Sequence, residues 1–219
     1  MKRKPPDPSK RDPEKTKSSI LEQATLCFAQ DGFHGTGLND ICRKAKANKR
    51  MIYHYFGNKD ALYRAVHRRG WELLGSWFMQ ELVRNGTPSP PLSQEKLLLE
   101  AIKIFHDFIS TNQIFVRLLM WDGLEGGKAS RSLWTDIRGP IYRQIESIVK
   151  ASQSAGVLPA DLHPSHLIIS FMGAVAFYYS HAHTMVDIFQ KDPLSAEAIQ
   201  ERKEQVLALF RKLIQAAPV

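Results

Sequence analysis

Apolar residues recur along most of the chain at helical spacing, three or four positions apart, and no stretch alternates with a period of two. In the N-terminal part this spacing predicts an amphipathic helix from Pro13 to Gly32 and a short second helix that Thr36 can cap. A third helix begins after Asn48, a favourable N-terminal cap, and ends at Gly57. The two short helices must share the core of the first, which predicts a helix-turn-helix head.

A fourth and much longer helix follows Asn58, and the Pro-rich segment 85–93 ends it as a surface loop. Helical spacing then continues toward the C-terminus. Further helices are predicted over residues 94–110, 114–121, 130–155, 164–184 and 196–215. The third of these should break or kink at Gly139-Pro140.

The predicted fold class is therefore all-α: an N-terminal three-helix helix-turn-helix head joined by a long helix to a C-terminal helical body. Residues 1–12, basic and rich in proline, are expected to form a disordered arm. Residues 13–58 would form the head and residues 59–219 the body.

The net positive charge of the chain comes entirely from its first 70 residues. Residues 1–70 hold 16 Lys and Arg against 7 Asp and Glu, whereas residues 71–219 hold 14 against 15. The segment from Arg43 to Arg50 carries five bases and no acid among residues that should be structured. This distribution is typical of a nucleic-acid-binding head on a neutral body.

The second helix of a helix-turn-helix lies in the major groove, and its N-terminal residues meet the base edges. Here Asn48, Lys49, Arg50 and Met51 would lead into the groove. Lys and Arg suit guanine, Asn suits adenine, and Met can touch the methyl group of thymine.

Other residues of the head are predicted to hold the DNA backbone. Tyr53 and His54 should face outward with polar groups that suit phosphate, and Lys59 and Thr36 begin helices whose free N–H groups add to such a contact. Lys46, in the turn between the two short helices, completes the predicted DNA-binding set. The alternative is that the Tyr residues are ordinary core and the bases form a solvated surface.

The stretch GFHGTGLNDICRKAKANKRMIYHYFGNKDALYRAV, residues 32–66, resembles the DNA-binding signature of the tetracycline-repressor (TetR) family. The resemblance implies an all-helical homodimeric repressor whose body binds a small-molecule effector and then releases double-stranded operator DNA. Lys46 stands where the family usually has Gly, so the turn either avoids a left-handed conformation or carries modest strain. Arg50 and Met51 replace the usual small residues.

The resemblance also implies that the last two helices form the dimer interface. The sequence agrees, because residues 167–179 are apolar on nearly all sides and the final helix carries an apolar stripe. The residues predicted at this interface are Gly173, Ala174, Phe177, Val206, Phe210 and Leu213.

An effector cavity would lie between the central helices of the body, and its predicted lining is aromatic. The candidates are Trp77, Phe78, Phe105, Phe108, Trp121, Trp134, Tyr142, Phe171 and Tyr178. Asp122 and the pair His106 and Asp107 could supply polar groups. For each of these aromatic residues the alternative is plain core packing.

The sequence predicts no cofactor, no metal site and no enzyme. His163, His166, His181 and His183 lack metal-binding helical spacing, and no nucleophile–base arrangement can be argued. Cys27 and Cys42 fall on apolar helix faces, which favours buried free thiols in a reducing cytoplasm. No secretory signal is visible, and the longest apolar run is too short to cross a membrane.

The predicted function is a ligand-responsive, dimeric DNA-binding repressor. The alternative is an architectural or partner-binding DNA-binding protein without an effector. A closed cavity of a few hundred Å³ in the body would favour the sensor, and solid packing would favour the alternative.

Overall fold

The computed structural model describes residues 12–84 and 93–215, and in these ranges the chain forms helices and no strand. The all-α prediction is confirmed. The predicted arm, apart from Asp12, and residues 85–92 of the predicted loop lie outside the described residues.

Three helices form the head: α1 (Pro13–Gly35), α2 (Leu38–Lys44) and α3 (Lys49–Phe56). The predicted end of the first helix is confirmed, because Gly32 leaves the helical conformation with φ of 68°. Asp12 caps α1 by accepting a hydrogen bond from the N–H of Glu14 at 3.1 Å. The prediction that Thr36 caps α2 is wrong, because Gly37 occupies the capping position and no side chain bonds there.

The long helix α4 (Lys59–Arg84) leads from the head into the body, and Asn58 caps it by accepting from the N–H of Ala61 at 2.8 Å. The remaining helices are α5 (Gln94–Thr111), α6 (Gln113–Leu124), α7 (Lys128–Ser132), α8 (Gly139–Ser154), α9 (Pro164–Ser180), α10 (Val186–Phe189) and α11 (Ala196–Gln215). The prediction for α11 matches at both ends.

Two predicted helices are divided in the structure. The segment 130–155 contains α7, a π-helical turn over Trp134–Arg138 and then α8, so the break lies before Pro140 rather than at it. The predicted helix 164–184 ends at Ser180 and continues as a 3₁₀ turn over Ala182–Thr184.

The head and the body have separate cores that meet along α4. Leu62, Tyr63 and Val66, in the first two turns of α4, belong to the head core, so that core continues past residue 58. Farther along α4, Trp71 and Leu74 belong to the core of the body.

Cys27 and Cys42 are buried free thiols, as predicted. Within the described ranges, no helix has the length and apolar character needed to cross a bilayer.

Candidate functional site

Helix α3 turns one face to the head core and the opposite face to solvent. Ile52 is completely buried, and it fixes the rotation of the helix. Lys49, Arg50 and His54 are exposed, and Tyr53 is 51% exposed. These four predicted DNA-binding residues therefore lie on an accessible surface of the head.

The side chains of Asn48 and Met51 are partly occupied by the fold. The side-chain oxygen of Asn48 accepts a hydrogen bond from the N–H of Met51 at 3.0 Å, so the predicted cap is confirmed. One of the two lone pairs of this oxygen is therefore occupied, and the cap restrains the orientation of the side chain toward DNA. Met51 is half-buried and packs against the head core.

Lys46 is exposed and adopts the left-handed conformation, with φ of 51°. Of the two alternatives for this turn, the strained one is therefore present. A side chain in this conformation costs about 1 kcal/mol relative to Gly.

Thr36 and Lys59 are less available to DNA than the sequence suggested. Thr36 is 3% exposed, and its hydroxyl donates to the carbonyl oxygen of Gly32 at 2.7 Å, so its side chain presents no donor at the surface. The ammonium group of Lys59 lies 4.6 Å from the ring centre of Phe33. Burial lowers the pKa of Lys59, against the opposing effect of Asp60 and Glu125.

Helix α6 connects the body to the end of α1. Arg117 Nε and Trp121 Nε1 both donate to the carbonyl oxygen of Ala29, at 2.9 and 3.2 Å. Glu125 accepts from the N–H of Phe33 at 2.9 Å. Trp121 therefore lies beneath the head, and its predicted role in lining the effector cavity is wrong. Periodicity could not indicate this junction, because its partners lie far apart in sequence.

An apolar cavity of about 110 Å³ lies between α4, α5, α8, α9 and α11. Four of the nine predicted aromatic residues line it: Phe78, Phe105, Tyr142 and Phe171. The cavity is smaller than expected for a preformed ligand site, and its walls are almost entirely hydrocarbon.

The other predicted aromatic residues lie elsewhere. Phe108 is fully buried in the core, and Trp77 packs against it with ring centres 6.0 Å apart. Trp134 is 46% exposed, and its ring packs against that of Tyr142 with ring centres 5.5 Å apart. The hydroxyl of Tyr178 donates to the carbonyl oxygen of Pro193 at 2.8 Å. These side chains serve packing or surface roles because their helices turn them away from the cavity.

The predicted polar pair His106 and Asp107 also lies outside the cavity. His106 Nε2 and the hydroxyl of Tyr179 are 2.9 Å apart, and Asp107 forms an ion pair with Lys203 at 2.6 Å. Burial alone would raise the pKa of Asp107, but the nearby His106 and the hydrogen bond from Lys203 outweigh it, and the pKa is lowered.

The predicted interface residues divide into two groups. Gly173 is exposed, Phe177 is 56% exposed, and Ala174 is partly exposed. Val206 is buried in the core of the body, while Phe210 and Leu213 line the apolar cavity. The apolar stripe predicted on α11 therefore packs within its own chain.

Sequence reasoning missed a second cavity, of about 330 Å³, which is more open to solvent and more polar in its lining than the first, and which we call the polar cavity. Its lining consists of Trp71, Leu119, Asp122, Gly123, Gly127, Ser130, Arg131, Arg138, Tyr142 and Met172. Trp71 could have been found, since it follows the helical spacing of α4 toward Leu74. Arg138 could not, because its position depends on a π-helical turn that has no periodic signal.

Two family comparisons agree with this architecture. Residues 20–66 match the family described as "Bacterial regulatory proteins, tetR family", and residues 95–209 match "Tetracyclin repressor-like, C-terminal domain". The second match covers more than half of the chain. The chain therefore belongs to the TetR family of DNA-binding transcriptional regulators, and it is not an enzyme.

Individual relatives support the same class. The HTH-type transcriptional repressor NicS of Pseudomonas putida is 26% identical over 187 residues, covering 84% of this chain and 85% of NicS. The HTH-type transcriptional regulator RutR of Escherichia coli is 26% identical over 172 residues, covering 76% of this chain and 74% of RutR. GusR of Salmonella enterica shares the fold, with a TM-score of 0.66 at 20% identity over 94% of this chain and 98% of GusR.

Proposed function

We propose that the protein is a homodimeric repressor that a small molecule, bound in the body, releases from operator DNA. The observation that carries the proposal is the position of α4. Its first turns pack into the head core through Leu62 and Val66, and its later turns line the apolar cavity through Trp71, Leu74 and Phe78. One helix thus contacts both functional regions.

The size of the cavity favours a coupled movement. An apolar cavity of about 150 Å³ accepts a molecule such as benzene, so a cavity of about 110 Å³ accepts a larger ligand only if its walls move apart. Since α4 forms one wall, such a ligand would displace the helix that carries the head. The cavity alone does not meet the size expected of a preformed sensor site, so the proposal depends on its position against α4 rather than on its volume.

The DNA contact is proposed to involve the exposed face of α3. Lys49 and Arg50 at its start would reach base edges, and Tyr53 and His54 would contact phosphates. Lys46 and Asn48 would add contacts from the preceding turn. With two copies of the head, operator half-sites would be separated by one helical turn of DNA or a multiple of it.

The dimer interface is proposed to lie on the outer faces of α9 and α11. Ile169, Gly173 and Phe177 are exposed at spacings of four residues on α9, and Leu209 is 59% exposed on α11. These faces would be buried against a second copy in a two-fold arrangement. We also propose that the protein is cytoplasmic. A repressor must reach the chromosome, and free thiols such as those of Cys27 and Cys42 persist in a reducing compartment.

The test is reciprocal coupling. The effector, identified by mass spectrometry of the small molecule that co-purifies, is titrated into the protein with and without operator DNA. A 100-fold preference for the released state corresponds to about 2.7 kcal/mol of coupling, and DNA must then weaken ligand binding by the same factor. Equal ligand affinity in the two titrations would contradict the proposal.

A further inference from the structure

The apolar cavity and the polar cavity share a wall. Trp71, Tyr142 and Met172 line both of them. The hydroxyl of Tyr142 lies 3.4 Å from the sulfur of Met172, a weak hydrogen bond that costs little to break. A molecule that displaces this pair extends from the polar cavity, which opens to solvent, into the apolar one.

Arg138 provides an unsatisfied positive charge in the polar cavity. Its guanidinium lies 4.9 Å from the ring centre of Trp71, 5.7 Å from that of Tyr142 and 5.8 Å from that of Trp134. Its Nε is buried and has no hydrogen-bond partner among the described residues. No carboxylate of these residues forms an ion pair with Arg138. Buried donors of this kind are normally paired, so an acceptor is missing at this position.

The local backbone holds Arg138 in place. It ends the π-helical turn that begins at Trp134, and π-helical turns occur frequently at functional sites. A Cβ atom on the next residue, Gly139, would lie 2.6 Å from the carbonyl oxygen of Trp134. The turn that directs Arg138 therefore requires glycine at this position.

The acidic residue in the polar cavity does not compete for Arg138. Asp122 is buried, and its two carboxylate oxygens accept the backbone N–H groups of Ala129 at 3.0 Å and Ser130 at 2.9 Å. A second guanidinium, that of Arg131, also lines the cavity. The lining thus carries two positive groups and one carboxylate that is already satisfied, which favours an anionic ligand.

We propose that the ligand of the body is a small organic acid whose carboxylate binds Arg138 and whose apolar part enters the neighbouring cavity. The inference rests on the proposed function, since it names the chemical class of the effector. The carboxylate pairs with the guanidinium of Arg138, which lies against three aromatic rings and has no ion pair among the described residues. The apolar cavity, at about 110 Å³, is smaller than a cavity of about 150 Å³ that holds benzene, so even a single ring enters it only as its walls move apart.

The test compares two probes that differ in charge, phenylacetate and phenylacetamide, by calorimetry on the full chain without DNA. Phenylacetate should bind at least about 10-fold more tightly, as expected for a charge-assisted hydrogen bond. Arg138→Gln should remove this preference by weakening the acid and leaving the amide unchanged. Arg143→Gln is the matched control, since Arg143 is exposed and lines neither cavity.

A second variant tests whether Arg138→Gln acts by unfolding the protein rather than by removing the charge. Arg138→Lys retains the charge and should keep part of the preference, and both Arg138 variants are to be compared with the parent by thermal unfolding. The proposal is overturned if the parent binds the two probes equally, if it binds neither at millimolar concentration, or if phenethylamine binds more tightly than the acid. It is also overturned if Arg138→Gln weakens both probes alike.

The failure of this inference is distinguishable from failure of the proposed function. Release of operator DNA by a neutral compound that binds independently of Arg138 would overturn the organic-acid proposal and leave the repressor mechanism intact. Acid binding that depends on Arg138 but leaves the protein on its operator would support the site and contradict the release mechanism.

Discussion

Trp121 donates its indole N–H to the carbonyl oxygen of Ala29 at 3.2 Å, and this hydrogen bond joins the body to the end of the first helix of the head. The ring of Trp121 also packs directly against Gly32, where the chain leaves the helical conformation. The orientation of the head therefore depends on α6 as well as on α4. A ligand that moves α4 must also disturb or carry along this second junction.

The contact between Gly32 and Trp121 leads to a stability prediction. A Cβ atom at position 32 would lie 2.7 Å from the Trp121 ring, and φ is +68°, so Gly32→Ala should destabilise the fold by about 3 kcal/mol through overpacking and backbone strain. Gly57→Ala is the matched control. Its φ is +83°, but nothing lies within 4 Å, so strain alone should cost about 1 kcal/mol. Urea unfolding measures both, and equal losses would show that the contact is unimportant.

A second pair of glycines tests the packing of α4 against α6. Gly70→Ala would place a Cβ atom 2.4 Å from the Phe115 ring and should destabilise the protein by about 2 kcal/mol. Gly75→Ala, in the same helix with nothing within 4 Å, should stabilise it by about 0.5–1 kcal/mol because Ala favours helix. Thermal unfolding of both variants should therefore shift in opposite directions, and shifts of the same sign would contradict the packing described.

The sequence predicted the head better than the body, for a physical reason. In the head, caps such as Asn48 and breaks such as Gly32 and Gly57 are local signals, and the structure has them where they were predicted. The cap predicted at Thr36 was wrong because a hydroxyl can bond the preceding helix instead of the following one.

In the body, periodicity indicates which apolar residues share a helix face, but not which other helix that face contacts. Val206 and Phe210 were predicted to face a second chain, and they pack within their own. Trp121 was predicted to line the cavity, and it packs beneath the head instead. Whether a side chain faces the cavity, the head or a second chain depends on how helices distant in sequence rotate and cross. A single sequence carries no direct signal for this.

The exposed face of α3 predicts separate effects on DNA binding. Arg50→Ala should alter the base preference of the protein, because Arg50 is exposed at the start of the helix that we propose enters the major groove. Tyr53→Phe should weaken binding to all sequences by about the same factor, since it removes a hydroxyl that we propose donates to phosphate. Binding to a randomised operator library distinguishes them. The roles are reversed if Tyr53→Phe changes the preferred bases and Arg50→Ala does not.

The left-handed Lys46 predicts opposite effects on stability and DNA binding. Lys46→Gly should relieve strain and stabilise the protein by about 1 kcal/mol. The same change removes a positive charge near the DNA and should lower the salt dependence of binding by about one unit of slope. Lys46→Asn is the control, because Asn tolerates the left-handed conformation better than Lys does. It should lower the salt dependence of DNA binding as much as Lys46→Gly does, but it should stabilise the protein less. If Lys46→Gly leaves the free energy of unfolding unchanged, the backbone at position 46 is not strained.

Acid stability is predicted to depend on His67. This residue is fully buried, neither ring nitrogen has a partner among the described residues, and burial lowers its pKa to about 4, with Asp122 opposing and Arg138 adding to the shift. Because the pKa of an unfolded His is about 6.5, the unfolded state binds the extra proton first on acidification. The free energy of unfolding should therefore fall as the pH drops from about 6.5 to 4.

The variant His67→Phe should lose this part of the pH dependence, because Phe does not titrate. Between pH 7 and pH 4 the parent should lose about 3 kcal/mol more stability than the variant. His34→Gln, at an exposed position, should follow the parent. Urea midpoints at several pH values measure the difference, and parallel curves for His67→Phe and the parent would show that His67 does not titrate in this window.

The last prediction concerns the dimer and replaces the interface expected from the sequence. Leu209 is 59% exposed on α11, so Leu209→Arg should fold normally but place an unpaired charge in the proposed interface and dissociate the dimer. Leu124→Arg is the matched control, because Leu124 is 78% exposed at the end of α6, next to Glu125, which contacts the head. Sedimentation velocity should find monomers for the first variant and dimers for the second. DNA affinity should fall with dissociation, although Leu209 lies outside the head. If both variants sediment as the parent does, the two chains associate through another surface.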